Sequence, residues 1–173
     1  MADASAREPA GERGRALLRP ADGWYLLIAA TIIAADQFTK WLIRANLARG
    51  DSWPSDDWFL KLVHITNSGA AFGMFQGAGP LLAITSILGM AFIFIYLFNP
   101  GFAHPLMRVG LSLMLGGAVG NLIDRLRDGR VVDFVKLPNY PAFNVADSAI
   151  TIGVLCLLWA MFKETTAEES GSS

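Results

Sequence analysis

Three aspartates, Asp124, Asp133 and Asp147, stand in or beside apolar sequence. Asn121, Asp124 and Arg125 are spaced i, i+3, i+4, which places them on one face of a helix. Asn144 and Asp147 repeat the i, i+3 spacing, and Asp133 is set between "VV" and "FV". Ionisable groups in such surroundings are costly and point to function. Two carboxylates held close together cannot both ionise easily, so one keeps a proton and the other can take one. That pair can activate a water and protonate a leaving amine, which is the chemistry of an aspartic protease. It needs no metal and no serine or cysteine nucleophile. Spacing alone leaves open which two of the three aspartates form the pair. Asp36 and Lys40, spaced i,i+4, can pair on a helix and read as a structural ion pair.

Buried Asp, Asn and Lys also suit an ion- or proton-coupled transporter. The chain is short for one and has no inverted repeat. A non-catalytic assembly subunit, with the polar groups as interhelical glue, is a third class. Other chemistries fare worse. The two histidines, His64 and His104, are far apart and Cys156 is the single cysteine, so no zinc site and no internal disulfide is expected. A net charge of −1 gives no sign of a nucleic-acid partner. No cofactor is expected.

The elements that must position these groups follow from the hydropathy pattern. The chain of 173 residues is 53% hydrophobic and only 17% charged, too apolar for an ordinary soluble domain. Apolar stretches at 24–43, 80–98, 105–123 and 143–162 are each long enough, at a rise of about 1.5 Å per residue, to cross a hydrocarbon core of about 30 Å. Trp24, Tyr25, Trp41 and Trp159 lie near their ends, where aromatic rings favour the interface. The arginines before "WYLLIAATIIAA" also suit a cleavable signal peptide, but the pattern continues through Asp36 and Lys40 into "WLI", long enough to span. The expectation is an all-α integral membrane protein of four transmembrane helices. A small extracytoplasmic β element is expected in 44–79, around "WFLKLVHIT", and a short outer helix or turn, or a short extended element, in 124–142. Residues 1–22 and 164–173 read as disordered tails around a domain at 23–163.

Four spans put both termini on one side. Arg7, Arg13, Arg15, Arg19, Arg108 and Lys163 then face Arg44, Arg49, Lys61, Arg125, Arg127, Arg130 and Lys136, so the positive-inside count is close to even. The four arginines before the first helix favour cytoplasmic termini. The pattern Gly116 to Gly120 permits close helix approach.

The stretches "DQFTK" (36–40), "NSGAAFG" (67–73), "GGAVGNLIDRLRDGRVVDF" (116–134) and "FNVADS" (143–148) closely resemble, in order and spacing, the motifs of bacterial lipoprotein signal peptidase, signal peptidase II. The resemblance covers about residues 22–163. It implies an aspartic endopeptidase of the bacterial cytoplasmic membrane, with its site near the outer face. Its substrates are prolipoproteins whose lipobox cysteine carries diacylglycerol, and globomycin-type cyclic peptides block it. The resemblance selects Asp133 and Asp147 as the catalytic dyad. It gives Asn67, Asn121, Asp124, Arg125 and Asn144 supporting roles, and Asp36 and Lys40 a structural one. Gly69, Ala70 and Ala71 are small enough to admit a substrate backbone. The expected partners are these substrates and membrane lipids, and the expected state is a monomer.

Overall fold

The computed structural model describes residues 23–55, 58–68, 79–99 and 104–171. The expected N-terminal tail at 1–22 and Gly69 with its neighbours lie outside them. Four helices and three short strands follow in the order α1 (Gly23–Asn46), β1 (Ser52–Trp53), β2 (Lys61–Asn67), α2 (Gly79–Leu97), α3 (Pro105–Asp128), β3 (Val131–Lys136) and α4 (Val145–Gly171). Helix α3 is the hub and packs against α1, α2 and α4.

Helix α3 starts where His104 caps it, accepting from the Leu106 N–H at 3.2 Å, with Pro105 already holding a helical φ. It outlasts the expected 105–123 because Arg125, Leu126 and Arg127 are good helix formers. It ends at Gly129, whose φ of +67° is the left-handed cap that glycine takes most readily. The chain then turns directly into β3. Helix α4 runs to Gly171, which corrects the tail expected from residue 164. The run between Lys163 and Gly171 has no proline or glycine to stop the helix.

The strands form one antiparallel sheet, ordered β1-β2-β3. Ile65 lies opposite Asp133 and Thr66 opposite Val132, with the register shifting between Leu62 and Ile65. The segment Val131–Lys136 is therefore extended, one of the forms the sequence allows for it. One apolar cluster gathers Ala29, Ile93, Leu97, Leu111 and Leu115 between the helices. A second, of Ile43, Val132 and Phe134, fastens the sheet to the end of α1.

Burial runs opposite to that of a soluble protein. Asp36, Lys40 and Asp124 are fully buried, whereas Phe92, Ile95 and Leu158 are 59%, 64% and 57% exposed. Helices α1, α3 and the Val145–Lys163 part of α4 are long and apolar enough to cross a membrane. Among the described residues these three helices meet that length, and α2 contributes the apolar stretch Leu81–Leu97 beside them.

Glycines set the closeness of the helices. A Cβ on Gly116 would lie 2.7 Å from the Ala29 carbonyl of α1, and one on Gly120 would lie 2.6 Å from Asp36 Oδ2. Bare backbone at Gly120 thus makes room for a buried carboxylate.

Candidate active site

Asn144 is the residue from which the site can be built. It caps α4: its Oδ1 accepts from the Asp147 N–H at 2.9 Å, and Asp147 Oδ2 accepts from the Asn144 N–H at 3.2 Å. This is a capping box with aspartate in the fourth place. The cap fixes the Asp147 carboxylate at a helix N-terminus, where the backbone dipole favours negative charge. The Asn144 amide Nδ2 reaches the other way, 2.9 Å from Asp133 Oδ1 on β3. It also lies 3.2 Å from the Val132 carbonyl and 3.1 Å from Asn121 Oδ1. One buried side chain therefore ties β3, α3 and α4 to the same point.

The two carboxylates receive further donors. Asn67 Nδ2, at the end of β2, donates to Asp133 Oδ2 at 3.3 Å. Asn121 Nδ2, on α3, donates to Asp147 Oδ1 at 2.8 Å. Asp133 is 4% exposed. Burial and then the neighbouring charge of Asp147 push its carboxyl up to about 7, against the hydrogen bonds from Asn67 and Asn144 and the more distant Lys40 ammonium. A group so placed holds its proton near neutral pH and can give it up.

The third carboxylate is differently engaged. Asp124 is fully buried, with Oδ2 3.0 Å from Lys40 Nζ and Oδ1 2.8 Å from an Arg44 nitrogen. The Val132 N–H also donates to it at 3.2 Å. Lys40 spends its remaining protons on Asp36 Oδ2 at 2.8 Å and Asn121 Oδ1 at 3.0 Å. Asp36 Oδ1 accepts from the Ala146 N–H of α4 at 3.0 Å. The Asp36–Lys40 pair is present, as the i,i+4 spacing predicts, but it is one part of a larger network. Asp124 belongs to that network and Asp133 and Asp147 to the asparagine bridge, a separation that spacing left open.

Arg125 is half-buried and feels the charges of Asp147, Asp133 and Asp124. Two cations of α1 pair with Asp124 across the helices, Lys40 and Arg44, and Arg44 enters the sequence analysis only as a loop charge. Its signal was available, since Arg44 continues the i,i+4 row of Asp36 and Lys40. Gln37 was missed as well. Its Nε2 donates to Asp36 Oδ2 and to the Gly120 carbonyl, both at 3.1 Å.

An apolar cavity of about 340 Å³ opens beside Asp147, walled by Leu137, Tyr140, Phe143, Thr151 and Ile152. Among the described residues no three His, Cys, Asp or Glu side chains are grouped to hold a metal ion.

A family match described as signal peptidase (SPase) II spans residues 28–163. The chain belongs to the signal peptidase II family. Similar members include the lipoprotein signal peptidase of Brevibacillus brevis, 47% identical over 142 residues, or 80% of this chain and 95% of that protein. The lipoprotein signal peptidase of Moorella thermoacetica is 42% identical over 138 residues, 79% of this chain and 91% of that one. A solved bacterial membrane enzyme superimposes with a TM-score of 0.79 at 34% identity, over 84% of this chain and 91% of its own. A peptidase of this family, with apolar helices and a membrane enzyme as its structural neighbour, is a multi-pass membrane protein. Membership sets the transporter and assembly-subunit readings aside.

Proposed function

We propose that this signal peptidase II is an aspartic endopeptidase that removes the signal peptide from diacylglyceryl-modified prolipoproteins, cutting before the lipidated cysteine. The observation that carries the reading is the Asn144 bridge: one asparagine holds the Asp133 and Asp147 carboxylates, while the third candidate, Asp124, is neutralised by Lys40 and Arg44. The similarity to lipoprotein signal peptidases supports the substrate class.

In the proposed reaction Asp147 is the base. The helix N-terminus and the donors from Asn121 and Asn144 support its negative charge. Asp147 takes a proton from water as the oxygen attacks the scissile carbonyl. Asp133, protonated near neutral pH, gives its proton to the departing cysteine nitrogen. The peptide bond breaks into a carboxylic acid and an amine, and one proton passes back between the aspartates to reset the pair. Asn67 and Asn144 orient Asp133, and Asn121 orients Asp147. The apolar cavity beside Asp147 suits apolar parts of a lipidated substrate. Arg125 and the small residues Gly69 to Ala71 complete the substrate side of the reading.

Helix α2, 19 residues and about 28 Å long, acts as the fourth span beside the three longer helices. The termini face the cytoplasm of the bacterium, the sheet and the dyad lie at the outer face, and the enzyme works as a monomer. Purified protein should cleave a diacylated prolipoprotein, and globomycin should stop it. Cleavage of the unlipidated precursor at an equal rate would refute the substrate assignment. Activity lost to EDTA and restored by zinc would refute the metal-free mechanism.

A further inference from the structure

A second cavity, this one polar, lies away from the dyad. Its volume is about 540 Å³, within the roughly 300–1,000 Å³ typical of small-molecule sites. Thr66 and Val132, which face each other across β2 and β3, both line it. Ile65 and Asp133 form the next pair along. Successive residues of a strand point to opposite faces, so this cavity is on the face of the sheet turned away from Asp133.

Four arginines converge on it from four places in the chain. Arg44 comes from the last turn of α1, Arg49 from the loop after it, Arg127 from the last turn of α3 and Arg130 from the entry to β3. His64 and Thr66 supply further polar lining. One acidic residue, Asp128, shares the wall.

Arginines in the last turn of a helix often only complement its dipole, and this explains Arg44 and Arg127 individually. It does not explain Arg49 and Arg130, which belong to no helix and project into the same space. Arg44 already serves Asp124 at 2.8 Å and Asp128 at 3.6 Å, and Arg127 lies 3.8 Å from Asp128. Among the described residues no carboxylate pairs with Arg49 or Arg130. The cavity therefore keeps an excess of positive charge presented as planar guanidinium groups. Such groups match the paired oxygens of a phosphate better than a lone ammonium does.

The position of the cavity selects the source of the phosphate. It lies where α1 and α3, both long and apolar enough to span, reach their C-terminal ends. That is the depth of lipid headgroups rather than of open solvent. We infer that this arginine-lined cavity is a binding site for the phosphodiester headgroup of an anionic phospholipid of the surrounding membrane. The site is separate from the peptidase centre and does not depend on the proposed chemistry of Asp133 and Asp147.

The test uses the full chain in a neutral detergent, with thermal unfolding followed as a probe is titrated. Dioctanoyl phosphatidylglycerol should raise Tm in a saturable way. Dioctanoylglycerol, which has the same chains and no phosphate, should not. Inorganic phosphate at the same concentrations should not reproduce the shift. The double variant Arg49→Gln/Arg130→Gln, altered at two exposed positions, should bind the phosphatidylglycerol at least about tenfold more weakly, the scale expected for losing a charge-assisted hydrogen bond. Lys163→Gln, which removes a cation at the far end of α4, should bind as the parent does and controls for loss of a positive charge outside the cavity. If the double variant does not fold, phosphatidylglycerol protection of Arg49 and Arg130 from phenylglyoxal in the parent protein gives the same answer. An equal shift from dioctanoylglycerol, undiminished binding by the double variant, or unprotected arginines would overturn the site. A shift reproduced by inorganic phosphate alone would overturn its assignment to lipid.

Discussion

Asp133 and Asp147 are both aspartates, yet they stand in different surroundings. Asp133 sits on a strand, 4% exposed, with its carboxyl pushed up to about 7 by burial and by Asp147. Asp147 sits in a capping box at a helix N-terminus. Replacing either by asparagine keeps the shape and removes the proton chemistry, so Asp133→Asn and Asp147→Asn should each lower kcat by at least about 10²-fold, the usual worth of general acid–base catalysis. The purified variants should still unfold cooperatively, and near-parental cleavage by either would sink the dyad. The pH profile follows from the same group. If Asp133 is the acid, kcat/KM falls as pH rises through about 7 and its proton is lost. Asn67 donates to the charged form and holds the value down, so Asn67→Ala should move that alkaline limb to higher pH. An unmoved limb would assign the titration to another group. Stability has the same sign. The unfolded carboxyl ionises near about 3.9 and the folded one near 7, so this group's contribution is fully present below about 3.9 and is lost as pH rises through 7.

At the scale of elements, Lys40 holds α1 to α3 from a fully buried position, reaching Asp36, Asp124 and Asn121 at 2.8, 3.0 and 3.0 Å. Removing the cation leaves two buried carboxylates without it, so Lys40→Met should destabilise the protein by roughly 3–5 kcal/mol. Thermal unfolding in detergent measures this, and a change below about 1 kcal/mol would mean that water enters the network. The i,i+4 spacing made the Asp36–Lys40 contact legible in the sequence, because a helix brings such residues together whatever surrounds it. The link from Lys40 to Asp124 crosses 84 positions of chain and carries no local signal. The helices themselves were legible from their apolar runs. Their ends were less so: α3 passes Ile123 because Arg125, Leu126 and Arg127 are good helix formers, and Gly129 stops it. The extended form of Val131–Lys136 was half legible, since "VVDFV" suits strand and buried helix alike. Of the site, the candidate carboxylates and Asn121 and Asn144 could be picked out by type and spacing, whereas Asn67 came from the resemblance. Sorting Asp133 and Asp147 from Asp124 needed the resemblance; in the structure Asp133 and Asp147 have asparagine partners and Asp124 has cations.

For the whole molecule the open quantity is which way it faces. The nearly even count of lysines and arginines on the two sides gives the positive-inside rule little purchase. Geometry narrows the choice. The C-terminal ends of α1 and α3 and the N-terminal end of α4 meet at the sheet, so Arg44, Asp133 and Asp147 share one membrane face. Arg108, buried 5.4 Å from the Tyr25 ring near the opposite ends of α3 and α1, marks the other. In the proposed reaction a signal peptide is cut after its cysteine has crossed, and that reading puts the face bearing Asp133 and Asp147 outside. Arg44, Arg49, Arg127 and Arg130 then stand outside against the usual bias. That placement is less costly if lipid phosphates answer them in the cavity they line. The orientation predicts an outcome for cysteine labelling in a Cys156→Ser background. A cysteine in place of Ser55, beside β1, should react with a membrane-impermeant maleimide in intact cells, and one in place of Ser172 should react only after the membrane is opened. The reverse pattern would put the dyad in the compartment where no crossed signal peptide can reach it, and the proposed reaction would fail with it.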